Sequence, residues 1–193
     1  MSKPNTRDIR DVALGKLAYR QRTVEELRKQ LLDIGYGAEE INALIEEFVD
    51  YGYLNDIKYA CSFFNYAESK GWAFNRARRE LRSRGVSDED IKDGYDEWLN
   101  NMELNSGNEM ESSKETEREK AFRVALKMVD SNDLDERGRL PEKIKSRIAR
   151  KLYSYGYGSD NIYSVTRNIE EELVRGQDLD SYVRGQDSEA PDC

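Results

Sequence analysis

Apolar residues recur along this chain at intervals of three and four, the spacing of one face of a helix. The stripe Ile41, Leu44, Ile45, Phe48 and Val49 is the cleanest example and predicts an amphipathic helix with a polar outer side. Before it, residues 7–20 predict a helix with Ile9, Ala13, Leu14, Leu17 and Ala18 inward. Thr23-Val-Glu-Glu26 then has the form of a capping box, opening a helix that buries Val24, Leu27 and Leu31 and stops at Gly35. The third stripe ends at Gly52, a residue suited to the left-handed backbone that closes a helix. Asn55 or Asp56 can cap the next helix, which carries Tyr59, Ala60, Phe63, Phe64 and Ala67. The stretch Asp50 to Asp56 is therefore a joint between two helical units.

Past the joint the same order returns. The turn Gly71-Trp-Ala-Phe74 leads into a short basic helix with Ala77 and Leu81 inward, ending at Gly85. Ser87 caps the following helix, whose inner face is Ile91, Tyr95, Trp98 and Leu99. Leu27, Leu31, Gly35, Tyr36 and Ile41 align with Ala77, Leu81, Gly85, Val86 and Ile91 at a constant shift of 50 residues, and with Ile148, Leu152, Gly156, Tyr157 and Ile162 at a further 71. Phe122, Ala125, Leu126 and Val129 open this third copy, and Pro141 stands near the start of its middle helix. The expected fold is all-α: three tandem three-helix repeats over 7–52, 53–100 and 119–173, forming an elongated, curved array. Residues 101–118 read as a flexible acidic linker and 174–193 as a disordered acidic tail, in which Val174-Arg-Gly-Gln-Asp178 recurs as Val183-Arg-Gly-Gln-Asp187.

Composition sharpens this picture. Charged residues make up 36% of the 193 and apolar ones 37%, which suits slender helices better than a thick layered core. The net charge of −8 is unevenly spread: residues 101–119 hold six acids and two bases, 170–193 hold eight acids and two bases, and the remainder is net positive. The chain has no histidine, which removes the commonest general base and metal ligand. No phosphate-binding loop or dinucleotide fingerprint is present, so no cofactor and no enzymatic chemistry are expected. Cys61 lies among apolar helix residues that raise its thiol pKa, and a bridge to Cys193 is not expected. There is neither an apolar run of membrane-spanning length nor a charged-then-apolar leader, so the expectation is a cytoplasmic monomer.

The informative clusters are basic. Arg76, Arg78, Arg79, Arg82 and Arg84 crowd the middle helix of the second repeat, with Arg78, Arg79 and Arg82 on its outer face. Lys143, Arg147 and Arg150 stand at i, i+4 and i+7 on the middle helix of the third, flanked by Lys145 and Lys151. Two such stripes on equivalent helices suit phosphate or an acidic protein surface. A solvated face and a helical DNA-binding module are the competing readings.

Taken in order, Glu26-Leu27 ending in Gly35-Tyr36, Gly52-Tyr-Leu-Asn-Asp56 with Tyr59-Ala60, and Gly71 followed by Arg78-Arg-Glu-Leu81 and Arg84-Gly85-Val86 resemble the RecX regulatory family of bacteria. The resemblance covers residues 10–100 closely and 120–173 more loosely. It implies three tandem three-helix repeats and a partner, the RecA recombinase filament on single-stranded DNA. Family members lodge in the filament groove and most restrain strand exchange, ATP hydrolysis and co-protease activity toward the SOS repressor. Direct contact with single-stranded DNA is part of the same expectation. The chain departs from the family pattern at the turn Gly71-Trp-Ala-Phe-Asn75, where a Gly-x-Gly-Pro-like turn is usual; there Trp72 and Phe74 are expected to take over the packing.

Overall fold

A computed structural model describes residues 7–105, 116–129 and 131–186. Among these residues the regular structure is helical, with no strand: α1 Ile9–Tyr19, α2 Val24–Ile34, α3 Ala38–Asp50, α4 Asp56–Ser69, α5 Phe74–Ser83, α6 Asp88–Asn105, α7 Glu117–Leu126, α8 Glu142–Ser154 and α9 Ser159–Gln186, with one 3₁₀ turn at Ser131–Asp133. They fall into three successive groups of three. The chain divides into two compact units, residues 7–70 with 77–105, and residues 71–76 with the described part of the chain after 115.

Local chemistry explains the helix ends. Thr23 Oγ1 accepts from the Glu26 N–H, but the Glu26 carboxylate turns to Arg20 at 2.9 Å, so only half of the expected capping box forms. The Thr23 hydroxyl instead donates to the Arg84 carbonyl at 2.6 Å, and Thr23 is fully buried. Asn55 caps α4 through the Lys58 N–H, while Asp56 accepts from the Val24 N–H at the start of α2. Ser87 caps α6 through the Asp90 N–H. The full reciprocal box occurs at Thr116 and Glu119, opening α7. Pro141 stands immediately before the first turn of α8.

Buried stripes follow the predicted spacing with local shifts. In the first unit Leu27, Leu31, Ile41, Leu44, Ile45, Phe48 and Leu54 pack with Ile9 and Ala13, each fully buried large side chain stabilising by roughly 1.5–3 kcal/mol. Val49, expected inward, is 47% exposed because the stripe drifts as α3 ends; Leu14 and Ala18 are also exposed, and Val12 packs in their place. Gly94 brings α6 against α4: a Cβ there would stand 2.6 Å from that of Ala60. In the second unit Ala121 and Ala125 bury the α7 face, and Ile148, Leu152, Tyr157, Val165, Ile169 and Leu173 complete the core. Leu126, expected inward, is 37% exposed, because the buried line of α7 runs through the small side chains of Ala121 and Ala125.

Closing glycines make the joint between successive middle helices. Gly35, Gly85 and Gly156 all have left-handed φ, at 105°, 84° and 89°. A Cβ on Gly85 would stand 2.3 Å from the Glu25 Cβ in the first turn of α2; one on Gly156 would stand 2.7 Å from the Arg76 Cβ in the first turn of α5. The same joint thus occurs once in each unit, and a backbone bond accompanies the second, from the Ala73 N–H to the Tyr155 carbonyl at 2.9 Å. Gly35 has no atom within 4 Å of its Cβ position.

Two expectations about irregular segments change. Helix α6 continues to Asn105, into the stretch read as linker, and α7 begins at Glu117; residues 106–115 lie outside the described residues. Helix α9 runs to Gln186, through most of the stretch read as a disordered tail. No proline follows Ser159 before Pro191, so i to i−4 bonding continues through Gly176 and Gly185, each weakening a helix by only about 1 kcal/mol. Residues 187–193, with Cys193, lie outside the described residues. Cys61 is a free, buried thiol whose pKa is pushed up by burial.

Candidate functional site

The two basic middle helices present their cations in different ways. On α5, Leu81 and Ala77 are inward and the first turn has no acid. Arg78 and Arg82 both reach Asp88, the first residue of α6. Arg82 makes two bonds of 2.7 Å to its two oxygens, and Arg78 approaches Oδ1 at 3.1 and 3.3 Å. The Arg82 bonds, with help from Arg78, hold the Asp88 carboxyl below the usual carboxylate range. Two guanidinium groups thus share one carboxylate, leaving about one net positive charge. Arg79 is exposed, with no hydrogen bond or ion pair among the described residues.

The outer two arginines of this cluster serve the fold. Arg84 donates to the Tyr59 hydroxyl at 2.6 Å and lies over the Phe63 ring at 4.9 Å. Arg76 stacks 3.9 Å over Trp72 and 5.5 Å from the Tyr155 ring, and donates to the Ser154 carbonyl. That sandwich shows what Trp72 does in the proline-less turn: it clamps the arginine that receives Gly156. Gly71, at φ 68°, accepts the Tyr157 hydroxyl bond on its carbonyl, and a Cβ there would stand 2.7 Å from Val124. Sequence spacing placed Arg76 and Arg84 in the basic cluster, but could not show that rings and carbonyls receive them.

Helix α8 is more open. Lys143 is exposed with no partner among the described residues. Arg147 donates to the Met128 carbonyl at 2.9 Å, and Arg150 to the Ser146 carbonyl of its own helix at 3.1 Å; both stay exposed, and among the described residues neither meets an acid. Tyr153, 76% exposed, continues this outer row one turn beyond Arg150. Lys145 is different: it bridges Glu170 at 2.9 Å and Glu142 at 3.7 Å, and the Glu170 contact raises its pKa. Lys151 sits 4.4 Å from the Tyr155 ring.

Of the ten predicted cations, the structure therefore leaves Arg79, Lys143, Arg147 and Arg150 unneutralised, ties Arg78 and Arg82 to Asp88, and turns Arg76, Arg84, Lys145 and Lys151 toward the protein itself. Arg78, Arg79, Arg82 and Arg84 belong to the first unit, and Arg76 belongs with the α8 set to the second. Among the described residues no group of histidine, cysteine, aspartate or glutamate could hold a metal ion. No described helix is long and apolar enough to cross a membrane. An open groove of about 1090 Å³ between α7 and α9, lined by Phe122 and Leu126 together with Arg118, Lys127 and Glu171, had no signature in the sequence beyond the exposed side of the α7 stripe.

Comparison with known proteins bears on this arrangement. The family model for the RecX first three-helix domain matches residues 10–48. The chain is 31% identical over 94 residues to the regulatory protein RecX of Vibrio vulnificus, covering 49% of this chain and 61% of that one. To the regulatory protein RecX of Clostridium botulinum Alaska E43 it is 30% identical over 158 residues, covering 82% and 66%. It therefore spans just under two thirds of the length of these curated relatives. With the regulatory protein RecX of Salmonella typhimurium it shares 29% identity over 184 residues, covering 88% of this chain and 99% of the relative. The crystal structure of RecX from Lactobacillus salivarius shares the fold at a TM-score of 0.61 and 18% identity, over 84% of this chain and 94% of that one. Helix order, closing glycines and relatives agree: the chain belongs to the RecX regulatory protein family.

Proposed function

We propose that this protein is a non-enzymatic regulator that binds the RecA filament on single-stranded DNA and restrains its strand exchange, ATP hydrolysis and co-protease activity, limiting recombination and SOS induction. Family membership carries this reading, since the relatives are named regulatory proteins. The geometry supplies a means: a row of cations on α8, and Arg79 on α5, that the fold leaves without acidic partners. Several modest contacts spread over repeats give affinity through effective concentration, which suits a polymeric partner. The filament is cytoplasmic, so the protein acts there, as a monomer.

The test is ATP hydrolysis by the source organism's RecA protein on single-stranded DNA, titrated with this protein and with a variant carrying Arg79→Glu, Lys143→Glu and Arg150→Glu. Among the described residues none of these exposed side chains makes a hydrogen bond or ion pair beyond its own helix, so the variant is expected to keep the fold. Inhibition below one copy per RecA protomer, lost in the variant, is expected. Unchanged hydrolysis together with salt-sensitive binding to bare DNA would replace this reading with that of a DNA-binding module.

A further inference from the structure

Aligning the three middle helices on their closing glycines places Lys29 of α2 opposite Arg79 of α5 and Arg150 of α8, by the same shifts that align Leu31, Leu81 and Leu152. Along these helices it is the single position that is basic in all three repeats. The next turn of the same face has diverged to Leu32, Arg82 and Tyr153, and the preceding turn to Glu26, Arg76 and Arg147. All three aligned cations are exposed. Lys29 and Arg79 have no partner among the described residues, and Arg150 meets only a carbonyl of its own helix. Their neighbours are treated differently: Arg28 is taken by Glu25 at 3.4 Å and by Asn42, and Arg78 by Asp88. The fold neutralises the adjacent cation and leaves this one.

We infer that Lys29, Arg79 and Arg150 each hold one phosphate of a nucleic-acid strand, so that the contact surface extends into the first repeat. This rests on the proposed action on a filament formed on single-stranded DNA. A strand presents the same charged group again and again, and this protein carries a cation at the same helical position in each of its three repeats; an acidic protein surface makes no such demand. Lysine at one of the three positions also fits, because a phosphate met singly needs a point charge and not a planar fork. Nothing in the first repeat has a basic stripe like that of α8, so Lys29 stands out only through the alignment.

The test uses the full chain and a fluorescein-labelled oligo(dT), bare and coated with RecA, with anisotropy followed between about 50 and 200 mM salt. Lys29→Ala, Arg79→Ala and Arg150→Ala are compared with Lys92→Ala, an exposed cation of α6 outside the row. Each of the three lowers the slope of log affinity against log salt by about 0.7, and the triple variant by about 2, while Lys92→Ala leaves it unchanged. If Lys29→Ala behaves as Lys92→Ala while the other two lose slope, the equivalence of the row is wrong. If wild type binds the RecA-coated strand and no variant changes the slope, the row does not touch phosphate, and the regulator reading survives without it. Failure of wild type to bind either form overturns both.

Discussion

Helices α5 and α8 occupy the same place in successive repeats, end in the same left-handed glycine and bury the same leucine, yet they handle charge in opposite ways. The α6 helix that follows α5 begins with Asp88, which gathers Arg78 and Arg82. The α9 helix that follows α8 begins with Ser159, and among the described residues the outer cations of α8 meet no acid. One carboxylate at a helix start separates a partly neutralised stripe from an open one. Position in a repeat fixes the frame, and the neighbouring helix decides how much charge reaches solvent.

The frame itself is the first thing to break. Gly85→Ala and Gly156→Ala each combine left-handed backbone strain with a Cβ that has no room, against Glu25 and Arg76. Each is expected to lower stability by about 2–5 kcal/mol, the sum of roughly 1–2 for the backbone and 1–3 for overpacking. Gly35→Ala carries the backbone part alone, about 1–2 kcal/mol, because its Cβ position is open. Urea denaturation of the three variants checks the order. Equal losses at all three positions would mean that the glycines only end helices and do not make the joint.

Much of this frame was legible in the sequence. Period-3.6 stripes gave the helices, and glycines at constant offsets gave the repeat, because both are local and each unit solves the same packing problem. What was not legible was long-range. Nothing local to Thr23 points to the Arg84 carbonyl, nor does Arg76 announce its stack on Trp72 and Tyr155. Gly94 reads as a helix weakener until α4 is seen to pass within reach of it. The basic clusters were visible as composition, but which cations remain available depends on Asp88, Glu170 and Met128, residues 6 to 25 positions away in sequence. Helical continuation through Gly176 was hidden by an acidic composition that suggests disorder.

Charge handling is the next difference to sharpen. Asp88→Asn keeps the shape of the side chain and removes the charge, so Arg78 and Arg82 regain about one net positive charge for a partner. Affinity for the RecA-coated strand is expected to rise about threefold at low salt, and the salt slope to steepen by about 0.7. The slope rises only if Arg78 and Arg82 face an anion; an unchanged slope, with the Arg79 and α8 variants still defective, would place Arg78 and Arg82 outside the phosphate contact.

The smallest effect separates two aspartates at the same helical position. Asp56 and Asp88 are the first residues of α4 and α6, where a carboxylate meets the positive end of the helix dipole. Their pKa values nevertheless move apart. Burial pushes the Asp56 carboxyl up, and Asp90 and Glu26 add to this against the Val24 N–H bond. The Arg82 and Arg78 bonds pull Asp88 down. A depressed folded pKa adds stability that is present above the unfolded value, about 4, and lost as pH falls through the folded value. A raised one does the reverse: its contribution is full below about 4 and is lost as pH rises through the folded value. Asp88→Asn should therefore be less stable than wild type at pH 7, with the gap closing below pH 4. Asp56→Asn, whose amide oxygen still accepts from Val24, should be as stable as wild type at low pH and more stable at pH 7. Thermal melts across this range read the two signs directly. A loss of stability at pH 7 in Asp56→Asn would show that the charge on Asp56 favours the start of α2 by more than its burial opposes it.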